Sequence, residues 1–84
     1  MILPPTFSSN NNINAIVETP RGSRNKYNYH EETGLFFLKK ILPVGFSFPL
    51  DFGFIPHTMA GDDDPLDIIV FTEEAAFPGC LVEC

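Results

Sequence analysis

Lys26-Tyr27-Asn28-Tyr29-His30, then Glu31-Glu32-Thr33-Gly34, then Leu35-Phe36-Phe37-Leu38-Lys39-Lys40-Ile41-Leu42 is the stretch on which the fold turns. Residues 26–30 alternate polar and aromatic side chains, the period of a half-buried strand. Residues 31–34 carry turn chemistry and close on a glycine. Residues 35–42 read as a second strand, so the stretch predicts a β-hairpin with a four-residue connection. Upstream, residues 13–18 form a short strand candidate, ended by Thr19-Pro20-Arg21-Gly22. Downstream, residues 43–56 interleave Phe46, Phe48, Phe52 and Phe54 with Pro43, Pro49 and Pro56. Those prolines forbid a helix, and the segment is expected to be extended, packed on a core or lining a pocket. Residues 66–71 are an apolar run interrupted only by Asp67 and read as a buried strand. Phe77-Pro78-Gly79 is a turn, after which residues 80–84 begin another strand.

The reading is therefore mainly β, about five short strands joined by turns. Residues 1–12, Ser/Asn-rich from 6 onward, read as a flexible lead-in, and residues 13–84 as one domain. Strands that do not close leave open edges, so the chain is expected to be truncated, needing more chain or a partner.

With 84 residues, a single small domain is the most the length allows, and such domains are often marginal alone. A 44% hydrophobic content excludes a disordered composition. The net charge of −6 argues against nucleic-acid binding, which needs a basic excess. Charge is also segregated: Arg21, Arg24, Lys26, Lys39 and Lys40 are the whole basic complement, while acid is densest from Asp62 to Asp67. A small anion held through metals would need both patches. Cys80 and Cys84, four apart on a strand, would lie roughly 13 Å from one another, too far for a disulfide. Two lone thiols fit a reducing compartment. Residues 1–9 lack the features of a signal peptide, and no apolar run approaches a membrane span. The cytoplasm is the expected location.

Chemistry concentrates in Gly61-Asp62-Asp63-Asp64-Pro65-Leu66-Asp67. A solvated acidic turn would tolerate such crowding, but a carboxylate at Asp67, entering an apolar strand, is costly if buried without a partner. Magnesium takes oxygen ligands and commonly uses one or two carboxylates plus substrate phosphates. In an extended loop Asp62 and Asp64 can face one side, with Pro65 stiffening the link to Asp67. An EF-hand does not fit, because Asp67 stands where that loop needs glycine. Lys26 and Lys40, on the two arms of the hairpin, are candidate phosphate contacts, against the plainer reading of solvating lysines. Glu18 ends a strand as a rim carboxylate. His30 and His57 carry weak signals, and no zinc, phosphate-loop or nucleophile-elbow spacing is present.

Taken together, these segments resemble the family I soluble inorganic pyrophosphatases. Asp62-Asp63-Asp64-Pro65-Leu66-Asp67, followed by Ile68-Ile69-Val70, resembles the family's D-G-D-P-x-D signature, with Asp63 in place of the glycine. Ile16-Val17-Glu18-Thr19-Pro20, Arg24-Asn25-Lys26-Tyr27 and Phe48-Pro49-Leu50-Asp51-Phe52-Gly53-Phe54-Ile55-Pro56 match further family segments in order. The resemblance runs from about residue 13 onward and makes residues 13–84 the amino-terminal part of a pyrophosphatase domain. It implies a partial, truncated OB-like barrel, five-stranded when complete, in an α+β family. It also implies hydrolysis of pyrophosphate to two phosphates with several Mg2+ ions, in a homo-oligomer without nucleic-acid or membrane partners. Asp62 and Asp67 would be metal ligands, and Glu18 a carboxylate near the metals. Asp64 would be the general base, and Lys26 and Lys40 the phosphate contacts. Three departures stand out: Lys40 where bacterial members commonly have arginine, Asn28 in place of a metal-site glutamate, and Phe52 in place of a tyrosine. Family members are longer, and their second half supplies more aspartates and lysines. The alternative is thus a non-catalytic fragment that binds metal or phosphate or self-associates.

Overall fold

The computed structural model describes residues 3–58 and 65–84. They form six strands: β1 (Asn14–Thr19), β2 (Asn25–His30), β3 (Leu35–Ile41), β4 (Asp51–Ile55), β5 (Leu66–Val70) and β6 (Leu81–Glu83). Among the described residues there is no helix. The hairpin is β2–β3, and its connection is residues 31–34 as expected. Gly34 takes a left-handed φ of 70° and donates its N–H to the His30 carbonyl at 2.8 Å, closing the turn. The proline-rich stretch stays irregular until Leu50, then supplies β4, a sixth strand beyond the five expected.

β4 lies between β5 and β1, and β6 flanks β1 on its other side, giving the antiparallel order β5-β4-β1-β6. β1 is central, which explains its near-unbroken apolar reading: Ala15, Ile16 and Val17 are all buried. With Phe54 and Val70 they form the core. The β2–β3 hairpin folds over this sheet, setting the Tyr29 ring on Phe54 (centroids 5.4 Å, 18° between planes) and beside Phe36 (5.2 Å). Stacking of this kind adds to simple area burial. The result is a mainly-β, partial OB-like barrel.

One expectation is corrected. The apolar run at 66–71 forms β5, but not as a buried strand. β5 has β4 as its one sheet neighbour, and only Val70 is buried, whereas Ile69 is 50% and Phe71 81% exposed. A continuous apolar run signals burial only where both faces are covered, and among the described residues nothing covers the outer face. Asp67 is likewise exposed, so the cost of burying its charge is no argument for a ligand there.

The Ser/Asn-rich lead-in makes definite contacts. Ser8 N–H donates to Asn12 O (2.7 Å), Phe7 bridges Ile13, Thr6 Oγ1 donates to Pro56 O (2.9 Å) and Asn14 Nδ2 to Pro5 O (2.9 Å). Both cysteines are free thiols.

Candidate metal and phosphate site

Glu18 owes its position to a β-bulge. Val17 pairs with Gly53 and Thr19 with Phe52, so Glu18 is the residue left without a partner on β4. Such a bulge bends a strand and re-aims its side chain. Gly53 permits it: a Cβ there would collide with the Ile16 carbonyl oxygen and lie 2.9 Å from Val17 Cα. Beyond the bulge, β1 engages the hairpin through side chains. Glu18 Oε2 accepts the Tyr29 N–H at 2.8 Å, while Thr19 Oγ1 accepts the Tyr27 N–H and donates to the Tyr27 carbonyl, each at 3.0 Å.

The Glu18 carboxyl is held above its ordinary value of 4.5. Burial is the main cause and the charge of Asp67 adds to it, opposed by the Tyr29 N–H and by the ammonium groups of Lys26 and Lys39. Asp67 reaches this position through register: it pairs with Phe54, which pairs with Ile16, two residues before Glu18. Thus Asp67 and Lys26, on two other strands, both act on Glu18. Lys40 stands opposite Lys26 across the hairpin. Asp62 and Asp64 lie outside the described residues. Among the described residues no three His, Cys, Asp or Glu side chains converge; Glu18 and Asp67 contribute two carboxylates.

Other residues sort differently from their sequence reading. Arg21 is not part of a free basic patch: its guanidinium donates to the carbonyls of Thr72 (3.0 Å) and Glu73 (2.8 Å). Arg24 donates to the Leu42 carbonyl at 3.2 Å. The basic wall therefore consists of Lys26, Lys39 and Lys40. Lys39 was not singled out by sequence, and its signal would have been the register of β3. Asp51 was also passed over; it is buried and accepts from Thr72 Oγ1 (2.6 Å), Arg21 N–H (2.7 Å) and Ala76 N–H (3.3 Å). Burial alone would raise its carboxyl, but Thr72, the two N–H groups and the Arg21 charge hold it below 3.8. His30 Nδ1 lies 3.0 Å from Thr33 Oγ1 in the hairpin turn, and His57 occupies a left-handed turn at φ 58°. His30 thus closes β2 and His57 is a loop histidine. Of the family departures, Phe52 sits edge-on to Phe48 (6.4 Å), and Asn28 leaves its Oδ1 buried without a partner.

A mainly-β partial barrel, with carboxylates of β1 and β5 facing lysines of a hairpin, defines the class of protein. The sequence model of the inorganic pyrophosphatase family matches residues 15–84. An inorganic pyrophosphatase of Synechocystis is 43% identical over 70 residues, 83% of this chain and 41% of that protein. One of Streptomyces coelicolor is 46% identical over 68 residues, 81% of this chain and 42% of that one. The crystal structure of the Thermus thermophilus inorganic pyrophosphatase superposes with a TM-score of 0.85 at 41% identity, covering 96% of this chain and 47% of that one. The chain belongs to the inorganic pyrophosphatase family and spans under half the length of these relatives.

Proposed function

We propose that this chain provides the first metal- and phosphate-binding wall of a magnesium-dependent inorganic diphosphatase. The observation that carries the reading is the meeting of Glu18, Asp67 and Lys26 at one place in a chain of this family. Two hard oxygen donors close enough for Asp67 to raise Glu18 suit a divalent cation, which would relieve that repulsion. Asp62 completes the proposed ligand set together with Glu18 and Asp67. Bound magnesium ions would supply charge neutralisation and acidify a nearby water.

The chain's own residues do the remainder. Asp64 takes the proton of the attacking water as general base. Lys26 and Lys40 hold phosphoryl oxygens as point charges and stabilise charge developing on them. The water oxygen bonds to one phosphorus, the bridging P–O bond breaks, and two phosphates leave. Free thiols at Cys80 and Cys84 suit a cytoplasmic location, and no described helix is long and apolar enough to cross a membrane.

The test is phosphate release from pyrophosphate by the folded chain, with magnesium present or replaced by EDTA. Magnesium-dependent release above the protein-free rate is expected. Release at the protein-free rate from material with a cooperative melt would overturn catalysis by this chain. A second reading, a binding module that self-associates, is favoured by the exposed apolar side chains Val44, Phe46, Phe71 and Phe77. It expects magnesium binding by calorimetry without turnover, and a sedimentation coefficient that rises with concentration.

A further inference from the structure

The β2–β3 hairpin contains a second bulge, and it falls on the lysines. Lys26 pairs with Lys40 and Tyr27 with Leu38, so Lys39 is the extra residue, and two successive lysines of β3 stand against Lys26. Their direction follows from the pairing. Tyr27 and Leu38 share a face, so alternation sends both Lys26 and Lys39 to the other one. Lys40, in register with Lys26, joins them there. In a regular strand Lys39 and Lys40 would point to opposite faces; the bulge puts them on the same one.

The opposite face of the hairpin packs on the sheet through Tyr29 and Phe36. Tyr29 stacks on Phe54, and Phe36 approaches Gly79. On the lysine face Lys39 and Lys40 are exposed and Lys26 is half-buried, so these ammonium groups are free to meet a ligand. That face gathers three ammonium groups of a chain whose net charge is −6. Like charges set directly opposite one another in a sheet are destabilising. Lys26 and Lys39, moreover, are the two lysines whose charge reaches Glu18. The two bulges thus bring Glu18 of β1 and Lys39 of β3 to one site.

We propose that Lys39 is a further phosphate-binding residue of this site, placed by the β3 bulge beside Lys26 to hold an oxygen of a pyrophosphate-class dianionic group. This rests on the reading of the site given above. Lys39 acts as a compact point charge, and Lys40 completes a three-sided cationic wall. The same assignment explains why the like-charged arrangement is retained: the bound anion offsets it.

The experiment pairs two measurements on the whole chain. Calorimetry records pyrophosphate binding in the presence of magnesium for the parent chain, Lys39→Gln, Lys40→Gln and Lys39→Arg. Thermal melts in EDTA without any anion record stability. Lys39→Gln is expected to weaken pyrophosphate binding roughly tenfold, the scale of one charge-assisted contact, while its anion-free melting temperature stays level or rises. Lys39→Arg retains most of the affinity. Parental affinity in Lys39→Gln, with Lys40→Gln weakened, overturns the role of Lys39 and leaves the site intact. A parent chain that melts cooperatively but binds no pyrophosphate overturns the site reading and this inference with it. Loss of binding accompanied by a lower anion-free melting temperature assigns Lys39 a structural role instead and overturns the proposal.

Discussion

Asp51 and Glu18 are both carboxylates on interior strands of one sheet, and their surroundings treat them in opposite ways. Asp51 is saturated: a hydroxyl and two backbone N–H groups converge on it, and the Arg21 side chain ties the same loop down from outside. Its carboxyl is held low. Glu18 accepts one backbone N–H, faces another carboxylate and is held high. A charge that the fold uses for itself is fully paired by the fold. A charge left short of partners, and bulged out of its strand, is available to something that binds. The difference separates scaffold from site without reference to residue type.

Removing the scaffold carboxylate should produce the largest effect. Asp51→Ala leaves the Thr72 hydroxyl and the N–H groups of Arg21 and Ala76 without their acceptor in a buried setting. Unsatisfied buried donors cost about 1–3 kcal/mol each, and a total near 3 kcal/mol is expected because the exposed ends of the loop can rehydrate. A lowered urea midpoint with an unchanged slope is the readout. Asp51→Asn keeps an acceptor oxygen and should lose less. If Asp51→Ala melted like the parent, the loop at 72–76 would not depend on Asp51, and the contrast with Glu18 would collapse.

Removing Glu18, the carboxylate proposed for the site, should do the reverse. Glu18→Gln retains an oxygen for the Tyr29 N–H and deletes a partly desolvated charge that Asp67 repels. Stability is therefore expected to stay within about 1 kcal/mol of the parent, or to rise. Magnesium affinity, read by calorimetry, should fall roughly tenfold or more. A destabilisation as large as that of Asp51→Ala would place Glu18 in the scaffold and remove it from the site.

This pair also shows what the sequence could convey. The hairpin was legible because alternation, a turn and a glycine all agree across residues 26–42. Glu18, Lys26 and Asp67 were singled out by an ordered motif, and the fold brings the charges of Asp67 and Lys26 to bear on Glu18. The two bulges were not, because a bulge is a property of two strands in register, and neither strand announces its partner's spacing. Lys39 was therefore indistinguishable from an ordinary surface lysine. Asp51 and Asp67 look alike in sequence, each an acid in an apolar segment; only packing shows that the first is knotted into the fold and the second exposed. The exposure of β5 was invisible for the same reason: an apolar run states what a strand would bury, and the strand's place in the sheet decides whether it does.

The smallest expected effect is in the pH dependence of stability, where the two carboxylates pull in opposite directions. Asp51 is depressed below 3.8, so its contribution is complete above that pH and is lost as pH falls through the folded value. Glu18 is raised above 4.5, so it is most favourable to folding below that pH, and the benefit is lost as pH rises through the folded value. Burial is the main cause of the rise, and the charged groups that act on Glu18 are Asp67 on β5, Lys26 on β2 and Lys39 on β3. Melts in EDTA from pH 3 to pH 7 separate the two limbs by difference. The gain of Glu18→Gln over the parent should be near zero below 4.5 and grow above it. The deficit of Asp51→Ala should be largest at neutral pH and shrink as the parent itself loses the Asp51 charge in acid. A Glu18→Gln difference that stayed flat across the range would mean that Glu18 has the same pKa folded and unfolded, and the contrast with Asp51 would be lost.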